Sequence, residues 1–260
     1  MNLRIALFQI NIVFGNPEEN KTKIEQHFKT IDSAVDIVVL PELWTTGYDL
    51  NRLDEFADTN AKDSIAFLTQ LATTYHVNIV GGSVAKRTAK GVTNTMLVIN
   101  RKGVLISEYD KAHLFRLMNE ERFLLAGNDT GLFTIENQPS AGVICYDIRF
   151  PEWIRTHMIS GANMLFVVAQ WPMVRMNHWK ALLTARAIEN QCYVIACNRV
   201  GQDPKHTFGG HSMIINPWGE IIKEAGGEEE MVFGSINLTE VGLIRQTIPI
   251  FDDRRPDIYE

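Results

Sequence analysis

Short continuous apolar runs recur along the chain, and each ends at a turn signal or gives way to a helical pattern. Candidate strands are Leu3–Gln9, Ile37–Leu40, Asn78–Gly81, Asn94–Ile99, Ser140–Cys145, Met164–Val168, Tyr193–Asn198, Ser212–Ile215 and Val232–Ile236. Runs such as IVVL from Ile37 and MLFVV from Met164 do not alternate with polar residues. A strand of that kind is buried on both faces, as parallel strands are when helices cover the sheet. Helical patterns lie between the runs. One opens at Asn16–Pro17, with proline in its first turn. Ser64–Tyr75 places Ile65, Leu68, Leu71 and Ala72 on one face, and Pro151–Ser160 again starts on proline. His178–Glu189 carries Leu182, Leu183, Ala185 and Ile188. Near the end, INPWGEII reads as strand, turn, strand, which adds antiparallel pairing. Alternating strands and helices predict an α/β protein. No linker or composition shift divides the 260 residues, so a single domain over 1–260 is expected.

Charge and cysteine content narrow the function classes. Lys plus Arg number 25 against 31 Asp plus Glu, a net charge of −6 with no basic block, which argues against nucleic acid as a partner. The longest apolar runs fall far short of the roughly 20 residues a bilayer needs. Gln9 and Asn11 interrupt the apolar N-terminus, which therefore reads as a first strand and not a leader. Three cysteines, an odd number, predict reduced thiols and a cytoplasmic chain without a membrane partner.

Three candidate strand ends carry chemistry. VVLPELW runs a strictly apolar strand into Pro41 and Glu42. A carboxylate beside buried strand residues is costly unless paired or useful, although a partly exposed loop glutamate is the plainer reading. ISEYDKAHLF places Lys111 before His113 and Leu114, where a solvated surface charge is the ordinary outcome. AGVICYDIRFPE ends an apolar strand at Cys145, with Asp147 and Arg149 following. Most free cysteines are core residues, but this one sits where strand becomes loop. Together the three ends supply a nucleophile, a proton acceptor and a cation for developing negative charge. No G-x-S-x-G, Walker A or G-x-G-x-x-G pattern competes with this set. The glycine pairs at Gly81, Gly209 and Gly226 read as turns. DIVVLPELW and NMLFVVAQWP echo one another, each running a buried strand into a proline-containing loop with tryptophan.

These residues are similar to the motifs of the nitrilase superfamily of carbon–nitrogen hydrolases. PEL with Glu42, YDKAHLF with Lys111 and GVICYDIRFPE with Cys145 match its Glu-Lys-Cys triad. Placing the family's second glutamate before a Gly-Asp or Gly-Asn turn aligns EERFLLAGN so that Glu120 takes the position, with Glu121 one residue out of register. HWKALLTARAIENQCYVIACNRVG and RRPDIY extend the resemblance toward the C-terminus. It implies a four-layer α-β-β-α sandwich, a homodimer and no metal or organic cofactor. Within the superfamily the CYDIRF motif resembles the ω-amidase branch. That implies hydrolysis of the terminal amide of a small substrate of the 2-oxoglutaramate or 2-oxosuccinamate type, not of nitriles. Alternatives are a deaminated-glutathione amidase, an N-carbamoyl amidohydrolase and a catalytically silent binding subunit.

On this resemblance Cys145 attacks the amide carbon, Glu42 moves protons, and Lys111 with the Tyr146 N–H holds the oxyanion. Glu120 positions Lys111 or the substrate amine. Trp44, Phe115, Tyr146 and Trp171 are pocket-wall candidates, with core aromatics as the equal alternative. Arg149 and Arg175 are candidates for a substrate carboxylate. Asp147 and Arg149 read as a scaffold ion-pair network, and His113 as a satisfied loop histidine. Cys192 and Cys197 read as core residues on opposite sides of one strand.

Overall fold

The structure, a computed structural model, describes residues 1–259. Along the chain lie β1 (Asn2–Gln9), α1 (Pro17–Phe28), β2 (Ile37–Val39), α2 (Leu53–Phe56), β3 (Asp58–Thr59), α3 (Lys62–Tyr75), β4 (Asn78–Thr88), β5 (Gly91–Ile99) and β6 (Leu105–Asp110). There follow β7 (Leu132–Ile135), β8 (Gln138–Ile144), α4 (Pro151–Ile159), β9 (Met164–Ala169), α5 (Met176–Asn190), β10 (Tyr193–Asn198), β11 (Val200–Gln202) and β12 (Thr207–Gly209). The last elements are β13 (Met213–Ile215), β14 (Ile221–Glu224), β15 (Glu230–Asn237), α6 (Thr239–Thr247) and α7 (Pro256–Tyr259).

Two mixed sheets carry the fold. The first has the order β15-β1-β2-β4-β5-β6, with β3 paired to β4; the second has the order β14-β13-β10-β9-β8-β7. Strands β1, β2 and β4 run parallel, as do β8, β9 and β10, and antiparallel strands extend both sets. Side-chain alternation builds the layers. Leu3, Ile5 and Leu7 of β1 and Ile37 and Val39 of β2 share one core with Val143, Val167 and Ile195 of the second sheet. The intervening Ala6, Phe8 and Val38 pack instead with Ile24 and Phe28 of α1 and Leu68, Leu71 and Ala72 of α3. Ile154 and Met158 of α4 and Trp179, Leu183 and Ala187 of α5 cover the second sheet. The molecule is thus an α/β sandwich of two sheets flanked by helices, as expected.

Helix α1 begins where the sequence predicts. Asn16 Oδ1 accepts a hydrogen bond from Glu19 N at 3.2 Å, and Pro17 occupies the first turn. Strands β6 and β7 and helix α6 lie outside the sequence expectations. Gly81 and Gly82 form no chain-reversing turn. They lie within β4 at a bulge, where the register against β5 shifts between Val80 and Ser83. Gly82 has φ +57, and a Cβ there would lie 2.0 Å from Pro41 O, so only glycine lets the loop after β2 lie against the bulge. Gly209 ends β12, whereas Gly226 lies in the connection between β14 and β15. Cys192 precedes β10, so the two structural cysteines do not share a strand; both are fully buried and free.

Candidate active site

Glu42, Lys111 and Cys145 each follow the end of a strand, β2, β6 and β8 respectively. The bulge in β4 holds the first of these loops. Leu43 N donates to Ser83 Oγ at 2.9 Å and Trp44 N to Ser83 O at 3.1 Å, with Leu43 in the left-handed region at φ 43. Lys111 Nζ donates to Glu42 Oε1 at 2.8 Å and to Glu120 Oε1 at 2.7 Å. All three side chains are fully buried, so none is the partly exposed or solvated charge its type ordinarily gives. Glu120 begins a one-turn helix over Glu120–Arg122, just after Asn119 at φ 57. Glu121 is exposed, whereas Glu120 is buried against Lys111.

Cys145 lies at the junction of β8 with a 3-10 turn over Cys145–Arg149 and holds φ 46. A non-glycine residue in that region stores strain, which the surroundings must fix. Asp147 supplies much of that fixation. Its Oδ2 accepts from Ile144 N at 2.9 Å and Tyr109 Oη at 2.8 Å, and its Oδ1 accepts from His113 N at 3.0 Å and lies 2.8 Å from His113 Nδ1. One carboxylate therefore ties the turn at Cys145 to the loop after Lys111. Arg149 takes no part in this network, so the expected Asp147–Arg149 ion pair is not formed; its Nη2 lies 3.2 Å from His178 Nδ1 instead. His113 is satisfied as expected and stacks on Phe150 at 3.7 Å. Tyr146 is the second residue of the 3-10 turn, where the backbone N–H has no intrahelical acceptor.

Several side chains that no motif singles out hold Glu42. Asn94 Nδ2 donates to Oε1 at 2.8 Å and Gln170 N to Oε2 at 2.9 Å. Gln170 Nε2 donates to Glu42 O at 2.6 Å, and Arg199 Nη1 in turn donates to Gln170 Oε1 at 2.7 Å. Tyr48 Oη lies 2.9 Å from Glu42 Oε1 and 2.6 Å from Glu120 Oε1. Gln170 belongs to the QWP segment that echoes the Glu42 loop, the one sequence signal that reached it.

Burial pushes the Cys145 thiol well above its ordinary value, Glu42 adds to the rise and Lys111 opposes it. The thiol is therefore neutral until a base takes its proton. Burial pulls the Lys111 ammonium down, but Glu120 and Glu42 outweigh it and hold it charged. The arrangement can move a proton from sulfur to an anchored carboxylate beside a fixed cation.

Cys145 opens on a narrow cleft walled by Phe115, Tyr146, Arg149, Gln170, Trp171, Pro172 and Arg175. Arg149 lies 4.8 Å from the Trp171 ring centroid, and Arg175 lies 5.8 Å from that of Phe115. Neither guanidinium has a carboxylate partner among the described residues. Trp44 is not part of this wall. Its Nε1 donates to Gly81 O at 2.7 Å, and the ring packs on Phe67 in the core beneath α1 and α3. Among the described residues no group of three or more His, Cys, Asp or Glu is placed to hold a metal ion, and no helix is long and apolar enough to cross a membrane.

The carbon–nitrogen hydrolase family model matches residues 4–246, which takes in every residue of the buried cluster and its cleft. The chain belongs to the carbon–nitrogen hydrolase family. This carbon–nitrogen hydrolase is 49% identical over 259 residues to a 2-oxoglutaramate amidase of Bacillus subtilis (strain 168), with 100% of both chains covered. It is 34% identical over 254 residues to an omega-amidase of Escherichia coli (strain K12), covering 96% of each. A carbon–nitrogen hydrolase superfamily protein from Xanthomonas campestris superposes with a TM-score of 0.93 at 31% identity, covering 98% of both chains.

Proposed function

We propose that this carbon–nitrogen hydrolase cleaves the terminal amide of a small carboxylate-bearing substrate of the 2-oxoglutaramate type and releases ammonia through a cysteine thioester. One observation carries the reading: two guanidiniums without carboxylate partners line the same cleft as a thiol backed by a buried glutamate and lysine. Similarity to the Bacillus subtilis 2-oxoglutaramate amidase supports it.

Glu42 takes the Sγ proton of Cys145 as sulfur attacks the amide carbon. The oxygen of the tetrahedral intermediate gains charge beside Lys111 Nζ and the Tyr146 N–H. Glu42 returns its proton to the departing nitrogen, the C–N bond breaks and ammonia leaves. Water then attacks the thioester, Glu42 takes a proton from it, the C–S bond breaks and sulfur is reprotonated. Glu120 positions Lys111 throughout. Phe115, Tyr146 and Trp171 wall the substrate, and Arg149 or Arg175 holds its carboxylate.

The test is a substrate panel ranked by kcat/KM: 2-oxoglutaramate, 2-oxosuccinamate, an uncharged amide, a nitrile, a carbamoyl compound and deaminated glutathione. A charged hydrogen bond to a carboxylate contributes about 1.5–3 kcal/mol, so the uncharged amide should fall roughly ten- to hundredfold behind. Arg149→Ala and Arg175→Ala should identify the carboxylate partner, by a loss confined to charged substrates. Cys145→Ala should fold and be inactive. Equal kcat/KM for charged and uncharged amides in the unaltered enzyme would sink the substrate assignment. The same proposal takes the chain as one domain, a homodimer and cytoplasmic, with its three cysteines reduced; light scattering on the purified protein tests the dimer.

A further inference from the structure

Tyr48 poses a proton-counting problem at the centre of the cluster. Its Oη lies 2.6 Å from Glu120 Oε1 and 2.9 Å from Glu42 Oε1, yet a phenol carries a single proton. Were both carboxyl groups ionised, one of these contacts would set lone pairs against each other at hydrogen-bond distance in a buried site. It becomes a hydrogen bond when one carboxyl is protonated and donates to the phenol oxygen. The remaining donors decide which one. Glu42 accepts from Lys111 Nζ, Asn94 Nδ2 and Gln170 N, whereas Glu120 accepts from Lys111 Nζ and Phe115 N. Three donors against two favour the anion at Glu42.

We propose that Glu42 and Glu120 share one proton across Tyr48, that it rests on Glu120, and that Tyr48 is a positioning residue keeping Glu42 the ionised member. With Cys145 a thiol and Glu120 protonated, the Glu42 anion keeps its cation in Lys111, whose Nζ lies 2.8 Å from Oε1. Burial pushes the Glu120 carboxyl up, and Glu42 adds to the rise against the pull of Lys111. Burial, Glu120 and Glu42 together keep the Tyr48 phenol protonated. Arg199 also faces Tyr48, lowered by burial to about 10 and still a cation at neutral pH, and Arg122, Asp203, Lys205 and His206 line the same cavity as Tyr48. During turnover the proton on Glu120 stays in place, while Glu42 alone exchanges protons with sulfur and nitrogen.

Two measurements test this, and only the second rests on the proposed amidase activity. Infrared difference spectra of wild type minus Glu120→Gln, taken at mildly alkaline pH where exposed carboxyls are ionised, should show a carboxylic-acid C=O stretch. Its absence overturns the proposal. Tyr48→Phe, checked for folding by circular dichroism, should lower kcat about tenfold with KM within about twofold. It should also move the acid limb of the kcat/KM–pH profile up by about one unit, because the anionic state loses one hydrogen bond. A fall in kcat with the limb unmoved assigns Tyr48 a merely structural role and overturns its part. If the unaltered enzyme hydrolyses no amide, the functional reading fails while the infrared result still decides where the proton sits.

Discussion

Lys111 is the residue whose surroundings differ most from what its type ordinarily finds. A lysine is seldom fully buried, and this one is held by two carboxyl groups from different loops. Removing either partner of a buried charged pair leaves the other uncompensated, at about 3–5 kcal/mol. Lys111→Met should therefore cost stability as well as rate. Loss of an oxyanion donor alone lowers kcat by about 10²–10³. Glu42→Gln should lower kcat at least as far and yet destabilise less, because Glu120 remains to ionise beside Lys111. Steady-state kinetics and thermal melts on the two variants check this. Equal losses of Tm would show that Glu120 does not compensate, and a rise in KM at unchanged kcat would move either residue out of the chemistry.

The elements matter to the site chiefly through their ends. The turn at Cys145 and the loop after Lys111 come from different sheets, β8 and β6, and the Asp147 carboxylate joins them. Asp147→Asn keeps the shape but turns an N–H donor toward groups that donate. A buried donor left without an acceptor costs about 1–3 kcal/mol, so denaturant titration should show that loss with the m-value unchanged. A stability equal to wild type would mean the four contacts are not holding the turn. The strands that lead to Glu42 and Cys145 are legible in the sequence because each ends in an unbroken apolar run, IVV and AGVI, shortly before polar residues. Strand β6 is not, since LISEYD is half-exposed and mixes charges with its apolar residues. Nor do Asn94, Gln170 and Tyr48 stand out. Each is an ordinary polar residue whose importance lies in which carboxylate it reaches, and that is set by sheet packing across the molecule. Trp44 shows the converse. It sits two positions from Glu42, but its loop turns the ring into the helix-covered core.

At the scale of the whole molecule, one surface carboxylate tests how the ends of the chain are tied together. Glu229 accepts from Asn11 N at 2.9 Å and Lys23 Nζ at 3.0 Å, and lies 3.4 Å from His27 Nε2, linking the approach to β15 with the exit of β1 and with α1. Burial alone would raise its carboxyl, but these partners lower it to about 2. A carboxylate lowered in the folded state contributes stability above its unfolded value near 4.3 and loses it as pH falls through the folded one. Glu229→Gln should melt at a lower temperature than wild type at neutral pH, and the gap should close between about pH 5 and 2. A gap independent of pH would trace the loss to packing.

The buried charged cluster also has a history in time. Glu42 and Lys111 are 69 positions apart and Glu42 and Gln170 are 128, so the cluster closes long loops. Contacts of such separation form late, after local helices and hairpins have gained their structure. Until the two sheets dock, these charges remain in water, and their dehydration is deferred to the last step of folding. In refolding from denaturant, helical circular dichroism should recover before hydrolytic competence, and the lag between the two signals measures how long the sheets spend finding each other.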